Sequence, residues 1–395
     1  MRVGIDVRCF AGGKTTGVEQ YTRSLLCEVF KQTQKQNITK PKEKQIRFVL
    51  FFNAYKDIDV DFSWALEYPH IEIKKFQYSN KILNMSLWYF KKPLIDNLLG
   101  GVDIFYMPNA NFVALSNRAK LITTIHDLSY EHFKNTFSFK RNLWHWLVNP
   151  RRLAQKADTI CTVSHSSKQD ILASYRVDEA KIHVIPGGHD KTQNTLTRNS
   201  SALIEVKDHY KLPRKFILYF GTIEPRKNIE GLVRAYSTLR SNNPHIDHKL
   251  ILAGTKGWNM QKIESAISSS LFTNDIQIYN DVPSRDREAF YILGEVFVYP
   301  SHFEGFGFPP LEALSSQKPV ITSHTTSLPE VVRDRAIMID PTRPEEIYQA
   351  LFEVLTSKDL QQELTNSTDF EKYLNSHSWS TSASHLIQIL KQYNG

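Results

Sequence analysis

The chain has 395 residues, 41% hydrophobic and 23% charged, a balance that excludes a disordered tail, a collagen-like fibre and a disulfide-stapled miniprotein. Positive charge is unevenly placed: residues 1–200 carry 29 basic and 18 acidic side chains, residues 201–395 carry 20 and 23. A basic half joined to a slightly acidic half predicts two lobes with different partners, and at about 150 residues per domain the length allows two or three. Cys9, Cys27 and Cys161 are odd in number and lack metal-ligand spacing, so neither a disulfide framework nor a structural zinc site is expected, and a reducing cytosol is the simplest compartment. The opening MRVGIDVRCF has no apolar leader core, and no run of about 18 apolar residues crosses a membrane.

In chain order, β-branched runs predict strands at Val3–Val7, Ile46–Phe52, Ile71–Phe76, Asp103–Met107, Leu121–His126, Thr159–Val163 and Ile182–Ile185. Val18, Tyr21, Leu25, Leu26 and Val29 recur at the helical period and predict a first helix after Gly17. The pattern restarts at Phe216–Phe220, followed by a helix face of Ile229, Leu232, Val233, Tyr236 and Leu239. Further strands are expected at Leu250–Ala253, Ile276–Ile278, Val296–Tyr299, Val320–Thr322 and Ala336–Ile339. Such alternation implies an α/β protein with parallel sheets covered by helices on both faces. A polar stretch from Gly187 to Pro213 interrupts it. The expected division is residues 1–190, a linker 191–212, residues 213–376, and a terminal helix 377–395 returning toward the first domain.

Two segments carry chemistry. Ser301-His-Phe-Glu-Gly-Phe-Gly-Phe-Pro-Pro-Leu-Glu-Ala-Leu314 follows a strand and leads into a helix opened by Pro309-Pro310. Ligands of open α/β sheets lie beyond the carboxyl ends of strands, and a glycine loop entering a helix offers N–H groups and a dipole end to phosphate. Glu312, one or two residues into that helix, would accept hydrogen bonds from vicinal hydroxyls, as on a ribose. It reads equally as a helix cap, and Glu304 as a solvated loop residue. In Phe220-Gly-Thr-Ile-Glu-Pro-Arg-Lys-Asn228, Gly221 permits a tight turn and Arg226 and Lys227 suit a diphosphate. The plain alternative is a basic loop with Asn228 as N-cap.

FGTIEPRKN together with SHFEGFGFPPLEAL resembles the retaining glycosyltransferases of family 4, which have the GT-B fold: two doubly wound Rossmann-like domains facing across a cleft. The likeness extends to the Gly12–Gly17 loop, Thr124-Ile-His-Asp-Leu128, Val163-Ser-His-Ser-Ser-Lys168, Ile185-Pro-Gly187, Ser327-Leu-Pro-Glu-Val331 and Ser378-Trp379. It departs at Ser315-Ser-Gln-Lys-Pro319 and Pro186-Gly-Gly-His-Asp190. The resemblance implies an acceptor-binding first domain and a nucleotide-sugar-binding second domain. It places Glu304 near the donor sugar, Glu312 on the ribose, and Arg226 and Lys227 on the leaving diphosphate. It further places His126 on the donor sugar, the Gly12, Gly13 and Gly17 loop over the cleft, and Gly305, Phe306, Gly307 and Phe308 along the phosphate and sugar. Asp127 is expected to orient His126. The cations are expected to act on the diphosphate without a metal, and no cofactor is expected beyond the nucleotide-sugar. Gly-Ile-Asp-x-Arg and Gly17-Val-Glu-Gln-Tyr-Thr22 resemble the mannosyltransferase branch, which makes GDP-mannose the first donor choice and bacterial surface polysaccharide such as O-antigen the setting.

Two acid-free stretches account for most of the basic surplus. Ile73–Ile95 holds five lysines with Phe76, Tyr78, Trp88, Tyr89 and Phe90, and His132–Ala157 holds six Lys or Arg with five aromatics. Basic and aromatic residues together suit an anionic lipid surface, which a lipid-linked or oligosaccharide acceptor at the inner face of the cytoplasmic membrane would need; the plain alternative is that the aromatics are core and the lysines a solvated face. No nucleic-acid recognition motif accompanies them. The rival readings are a GT-B-shaped nucleotide-sugar epimerase or phosphorylase, and a non-catalytic nucleotide-sugar or membrane-binding module.

Overall fold

The computed structural model describes residues 1–12, 16–56, 58, 60–134, 137–189, 200–365 and 369–393. Its contacts divide into two compact units, Met1–Tyr130 with Ser138–Gly188 and Ser376–Gly395, and Glu131–Phe137 with His189–Asn375.

The first unit is built on a seven-stranded sheet. Its strands are β1 (Arg2–Asp6), β2 (Arg47–Asn53), β3 (Ile71–Phe76), β4 (Ile104–Met107), β5 (Lys120–Ile125), β6 (Thr159–Thr162) and β7 (Ile182–Val184). They lie in the order β3-β2-β1-β4-β5-β6-β7, and all pairs are parallel. The central strands are continuous apolar runs buried on both faces, as helix-covered parallel sheets require. The helix Trp379–Lys391 packs in this unit on the helix Gly17–Ile38. Gln32 Nε2 donates to Ser380 O at 2.9 Å, and Ser384 Oγ donates to Gln32 Oε1 at 3.0 Å. Ser382 Oγ donates to Pro186 O at 2.8 Å, and a Cβ on Gly188 would stand 2.4 Å from Trp379 N.

The second unit holds β8 (Phe216–Phe220), β9 (Lys249–Gly254), β10 (Ile276–Asn280), β11 (Val296–Tyr299), β12 (Val320–Ser323) and β13 (Ile337–Ile339). They form a parallel sheet in the order β10-β9-β8-β11-β12-β13. The order reverses between β8 and β11, the switch point at which such sheets bind ligands. These strands pair at only two positions, Val296 with Ile217 and Phe297 with Leu218, whereas β8 and β9 pair at five. The carboxyl ends of β8 and β11 therefore part from each other, each still paired with its outer neighbour, as they run into the two loops that carry the motif residues.

Two differences from the sequence reading concern the boundary. Within the stretch read as linker, Ser201–His209 is helical, and residues 190–199 lie outside the described residues. Residues 131–137 pack with the second unit, because their aromatics find partners there: His132 and Phe133 lie 5.3 and 5.7 Å from the Phe303 ring, and Phe137 lies 5.4 Å from Trp258.

Candidate functional site

The loop after β8 is fixed before any ligand arrives. Ile223 N donates to Thr255 O at 2.9 Å, and Gly257 N donates back to Ile223 O at 3.0 Å. Backbone meets backbone so closely that a Cβ on Gly254, whose φ is +137°, would stand 2.0 Å from Gly221 O. Only glycine tolerates that conformation and that contact. Asn228 does not cap the following helix through its side chain. It takes a left-handed φ of +57°, and its Nδ2 donates to Pro341 O at 2.6 Å.

This loop meets the one after β11. His302 N donates to Arg226 O at 2.9 Å and Ser301 Oγ to the same oxygen at 3.2 Å. Lys227 Nζ donates to Tyr299 Oη at 2.8 Å and to Glu304 Oε1. Arg226 Nη1 donates to Phe303 O and, at 3.3 Å, to Glu304 Oε2, while Nη2 holds Glu224 Oε1 at 2.8 Å. Below them the Tyr219 and Tyr299 rings stack at 5.6 Å. Burial would push the Glu304 carboxyl up, but Lys227 and Arg226 outweigh it and bring the pKa down to about 2, so Glu304 is a buried anion at neutral pH. Burial, then Arg226, lower the Lys227 ammonium from the usual lysine range. The two cations are balanced by two carboxylates, Glu304 and Glu224, and two of the three Lys227 N–H donors are taken by Tyr299 and Glu304.

The Glu304 backbone is pinned from a third loop. Its N–H donates to Thr326 Oγ1 at 3.1 Å, and Ser327 Oγ donates to Glu304 O at 2.9 Å and Phe306 O at 2.7 Å. Thr326 holds a φ of +54°, rare for a β-branched residue. Gly307 has a φ of +115°, and a Cβ there would stand 2.8 Å from Leu328 Cδ2. Together these turns carry Gly305, Phe306 and Gly307 into the helix Phe308–Ser315.

That helix corrects two expectations. Pro309 and Pro310 have no N–H, and the Leu311 N–H turns back to Gly307 O at 3.4 Å. The helix start therefore offers its dipole rather than a row of donors. Glu312 is the fifth helical residue, a full turn in, and is no cap. Its carboxylate takes Arg287 Nη1 at 3.1 Å and the Tyr291 hydroxyl at 2.8 Å, both from the helix Ser284–Leu293.

In the first unit, His126 follows β5. Its Nε2 faces Pro108 O at 2.8 Å. A carbonyl only accepts, so Nε2 carries the proton, and since burial lowers the pKa from the ordinary histidine value the ring is neutral with Nδ1 as acceptor. Asp127 does not orient it: Asp127 Oδ1 accepts from Ser129 N at 3.0 Å and Ser129 Oγ at 2.7 Å. Gly12 ends a short 3-10 turn, Arg8–Gly12, and Gly17 begins the first helix behind a Thr16–Glu19 capping box. Neither glycine takes a left-handed φ, and Gly13 lies outside the described residues.

The structure thus gathers Arg226, Lys227, Glu304, Gly221 and Gly305–Phe308 at one switch point, with Glu312 on the adjoining helix. Sequence reasoning missed Glu224, Tyr219, Tyr299, Arg287, Tyr291, Thr326 and Ser327. Ser327 was signalled by the Ser-Leu-Pro-Glu-Val match; Arg287 and Tyr291 carried no local signal.

The first unit also exposes apolar side chains among cations. The helix Phe139–Val148 buries none of its residues, and Phe139, Leu143 and Trp146, at i, i+4 and i+7, are 81%, 42% and 70% exposed. Ile82, Met85 and Tyr89 form a second outward stripe.

Comparison with known proteins follows the same division. A family model described as Glycosyl transferases group 1 matches residues 204–369, and one described as Glycosyltransferase Family 4 matches residues 63–193. O-antigen chain mannosyltransferase B of Escherichia coli is 32% identical over 244 residues, 60% of this chain and 61% of that protein. The serotype-specific mannosyltransferase WbdA of Escherichia coli is 28% identical over 246 residues, 62% of this chain and 30% of that protein. The match therefore spans less than two thirds of either relative. Anabaena HepE, solved in complex with UDP and glucose, superposes with a TM-score of 0.72 at 17% identity, covering 99% of this chain and 100% of that one. On these two adjoining matches and this shared architecture, the chain belongs to the family 4 glycosyltransferases of the GT-B fold.

Proposed function

We propose that the protein is a retaining, metal-independent glycosyltransferase that moves mannose from GDP-mannose to a lipid-linked or polysaccharide acceptor in bacterial surface glycan synthesis. The observation that carries this reading is the buried Glu304 carboxylate held between Lys227 and Arg226 beyond the β8 and β11 ends. Mannose and the glycan setting are supported by the names of the two Escherichia coli relatives. HepE was solved with UDP, which makes a uridine donor the alternative to test.

In this reading the donor C1–O bond to phosphate breaks with oxocarbenium character, and the diphosphate gains charge as it leaves. Lys227, Arg226 and the dipole of the Phe308–Ser315 helix stabilise that charge where it develops, the role a metal plays elsewhere. The acceptor oxygen bonds to C1 on the same face, and the leaving phosphate oxygen takes its proton. Glu304 faces the cationic sugar, and Glu312 takes the ribose hydroxyls. Glu304 as a covalent nucleophile is the alternative for retention. His126, neutral and with Nδ1 accepting, suits a sugar hydroxyl. The exposed stripes at Phe139–Trp146 and Ile82–Tyr89, set among lysines and arginines, dock the first unit on anionic membrane.

A thermal-shift screen with GDP, UDP, ADP and dTDP and their sugars, with and without EDTA, tests the donor site. A ligand at 100 times its Kd adds about 2.7 kcal/mol of stability. One nucleotide is expected to shift the transition selectively and independently of EDTA; no shift by any of them removes the reading. Product anomericity by NMR decides retention.

A further inference from the structure

A groove of about 710 Å³ opens on the first unit, lined by none of the residues assigned to the donor site and sharing Trp146 with the exposed stripe. It reaches Lys120, the first residue of β5, and Asp158, which immediately precedes β6. That is the amino edge of the sheet, opposite to the carboxyl end where His126 lies, so the groove is not the switch-point site of this domain. Its size falls in the range of about 300–1,000 Å³ usual for small-molecule pockets.

The groove has two chemically distinct parts. Leu87, Trp88, Leu115, Trp146 and Leu147 give it an apolar wall. Lys91, Arg152 and Lys156 bring three cations, and among the described residues none of them is ion-paired with an acid, Asp158 being engaged by Lys120 at 3.0 Å. Burial, then Lys156 and Arg152, lower the Lys91 ammonium from the usual lysine range, so these charges act on one another. Cations with no acid paired to them beside an apolar trough complement an anionic amphiphile, and Trp88 and Trp146, which line it, are 40% and 70% exposed as interfacial tryptophans are.

We propose that this groove binds one anionic membrane lipid, its phosphate held by Lys91, Arg152 and Lys156 and the start of its chain lying against Leu87, Trp88, Trp146 and Leu147. The inference deepens the membrane docking proposed above and rests on it for the supply of lipid. Docking needs only a charged surface with apolar stripes; the groove predicts a stoichiometric site for a single lipid.

The test uses the full chain with dihexanoyl phosphatidic acid below its micelle concentration, followed by calorimetry, with inorganic phosphate and dihexanoyl phosphatidylcholine as comparisons. Phosphatidic acid is expected to bind one to one, and inorganic phosphate about tenfold or more weakly, since burying even two methylenes gives that factor. Arg152→Ala with Lys156→Ala is expected to weaken phosphatidic acid about thirtyfold, the effect of two basic residues at a lipid phosphate; both positions are exposed, so the fold is retained. Inorganic phosphate binding as tightly as phosphatidic acid, or undiminished binding by the double variant, overturns the site. Co-sedimentation with phosphatidylcholine vesicles, with and without phosphatidylglycerol, separates the two readings. Binding to the anionic vesicles without binding of the short-chain lipid overturns the groove and leaves docking. Binding of the short-chain lipid without binding to vesicles overturns docking and leaves the groove. Phe139→Ser with Tyr89→Ser, outside the groove, is expected to lose vesicles and keep the short-chain lipid.

Discussion

Glu304 sits between Lys227 and Arg226 with little access to water, and both its charge state and its neighbours follow from that. Removing the charge leaves the buried Lys227 and the half-buried Arg226 each short of a partner. Glu304→Gln keeps the size of the side chain and is expected to lower kcat about 10²- to 10³-fold, the usual effect of removing one preorganised electrostatic group, with circular dichroism unchanged. Near-wild-type turnover would show that Glu304 does not face the reacting sugar. The same substitution has a pH signature. The folded pKa is about 2 against an ordinary value of 4.5. A depressed carboxyl contributes stability that is fully present above the unfolded value and is lost as pH falls through the folded one. The Tm gap between wild type and Glu304→Gln is therefore expected to hold above pH 4.5 and to close toward pH 2. A gap independent of pH would mean that Glu304 is not ionised in the folded protein.

At the scale of loops and strands, two glycines with opposite surroundings make a matched test. Gly254→Ala puts a Cβ 2.0 Å from Gly221 O at a φ of +137°. It is expected to cost about 1–3 kcal/mol and, by moving the loop that carries Arg226 and Lys227, to abolish the thermal shift by nucleotide. Gly17→Ala meets nothing within 4 Å, and at the start of a helix it is expected to raise stability by about 0.4–1 kcal/mol through the unfolded chain. Equal losses from both, measured by urea unfolding, would refute the backbone argument. These loops also show why much of the site was legible in sequence and part was not. Thirteen β-branched runs became strands because buried parallel strands are written as local, continuous apolar segments. Arg226, Lys227 and Glu304 stood out because glycines and prolines surround them. Arg287 and Tyr291 reach Glu312 from 25 and 21 residues away, and nothing local announces a pairing made by helix packing. The helix Ser201–His209 was lost in a polar stretch because it buries only Leu203. Residues 131–137 follow their aromatics to Phe303 rather than their place in the chain.

Across the whole molecule, the charge that separates the two halves of the sequence assigns them interactions of different physical kind. In the first unit the cations and the apolar stripes are exposed, so attraction to an anionic membrane acts through water and ions. The Debye length shortens from about 30 Å at 0.01 M salt to about 3 Å at 1 M, and each exposed basic residue loses its share of about 1 kcal/mol accordingly. In the second unit Lys227, Glu304 and Glu224 are buried, and buried charges are screened far less. Raising salt should therefore pull the two activities apart within a single protein. Co-sedimentation with phosphatidylglycerol vesicles is expected to fall steeply between about 0.05 and 0.5 M sodium chloride, with the Debye length, while the thermal shift by the preferred nucleotide persists. A joint decline would mean that nucleotide binding also depends on exposed charge, which would move the donor phosphate away from the buried pair. Vesicle binding that ignores salt would assign docking to the apolar stripes alone and leave the basic surplus of residues 1–200 without a part in it. The separation follows from burial, because Phe139, Leu143 and Trp146 face water and the side chains around Glu304 do not.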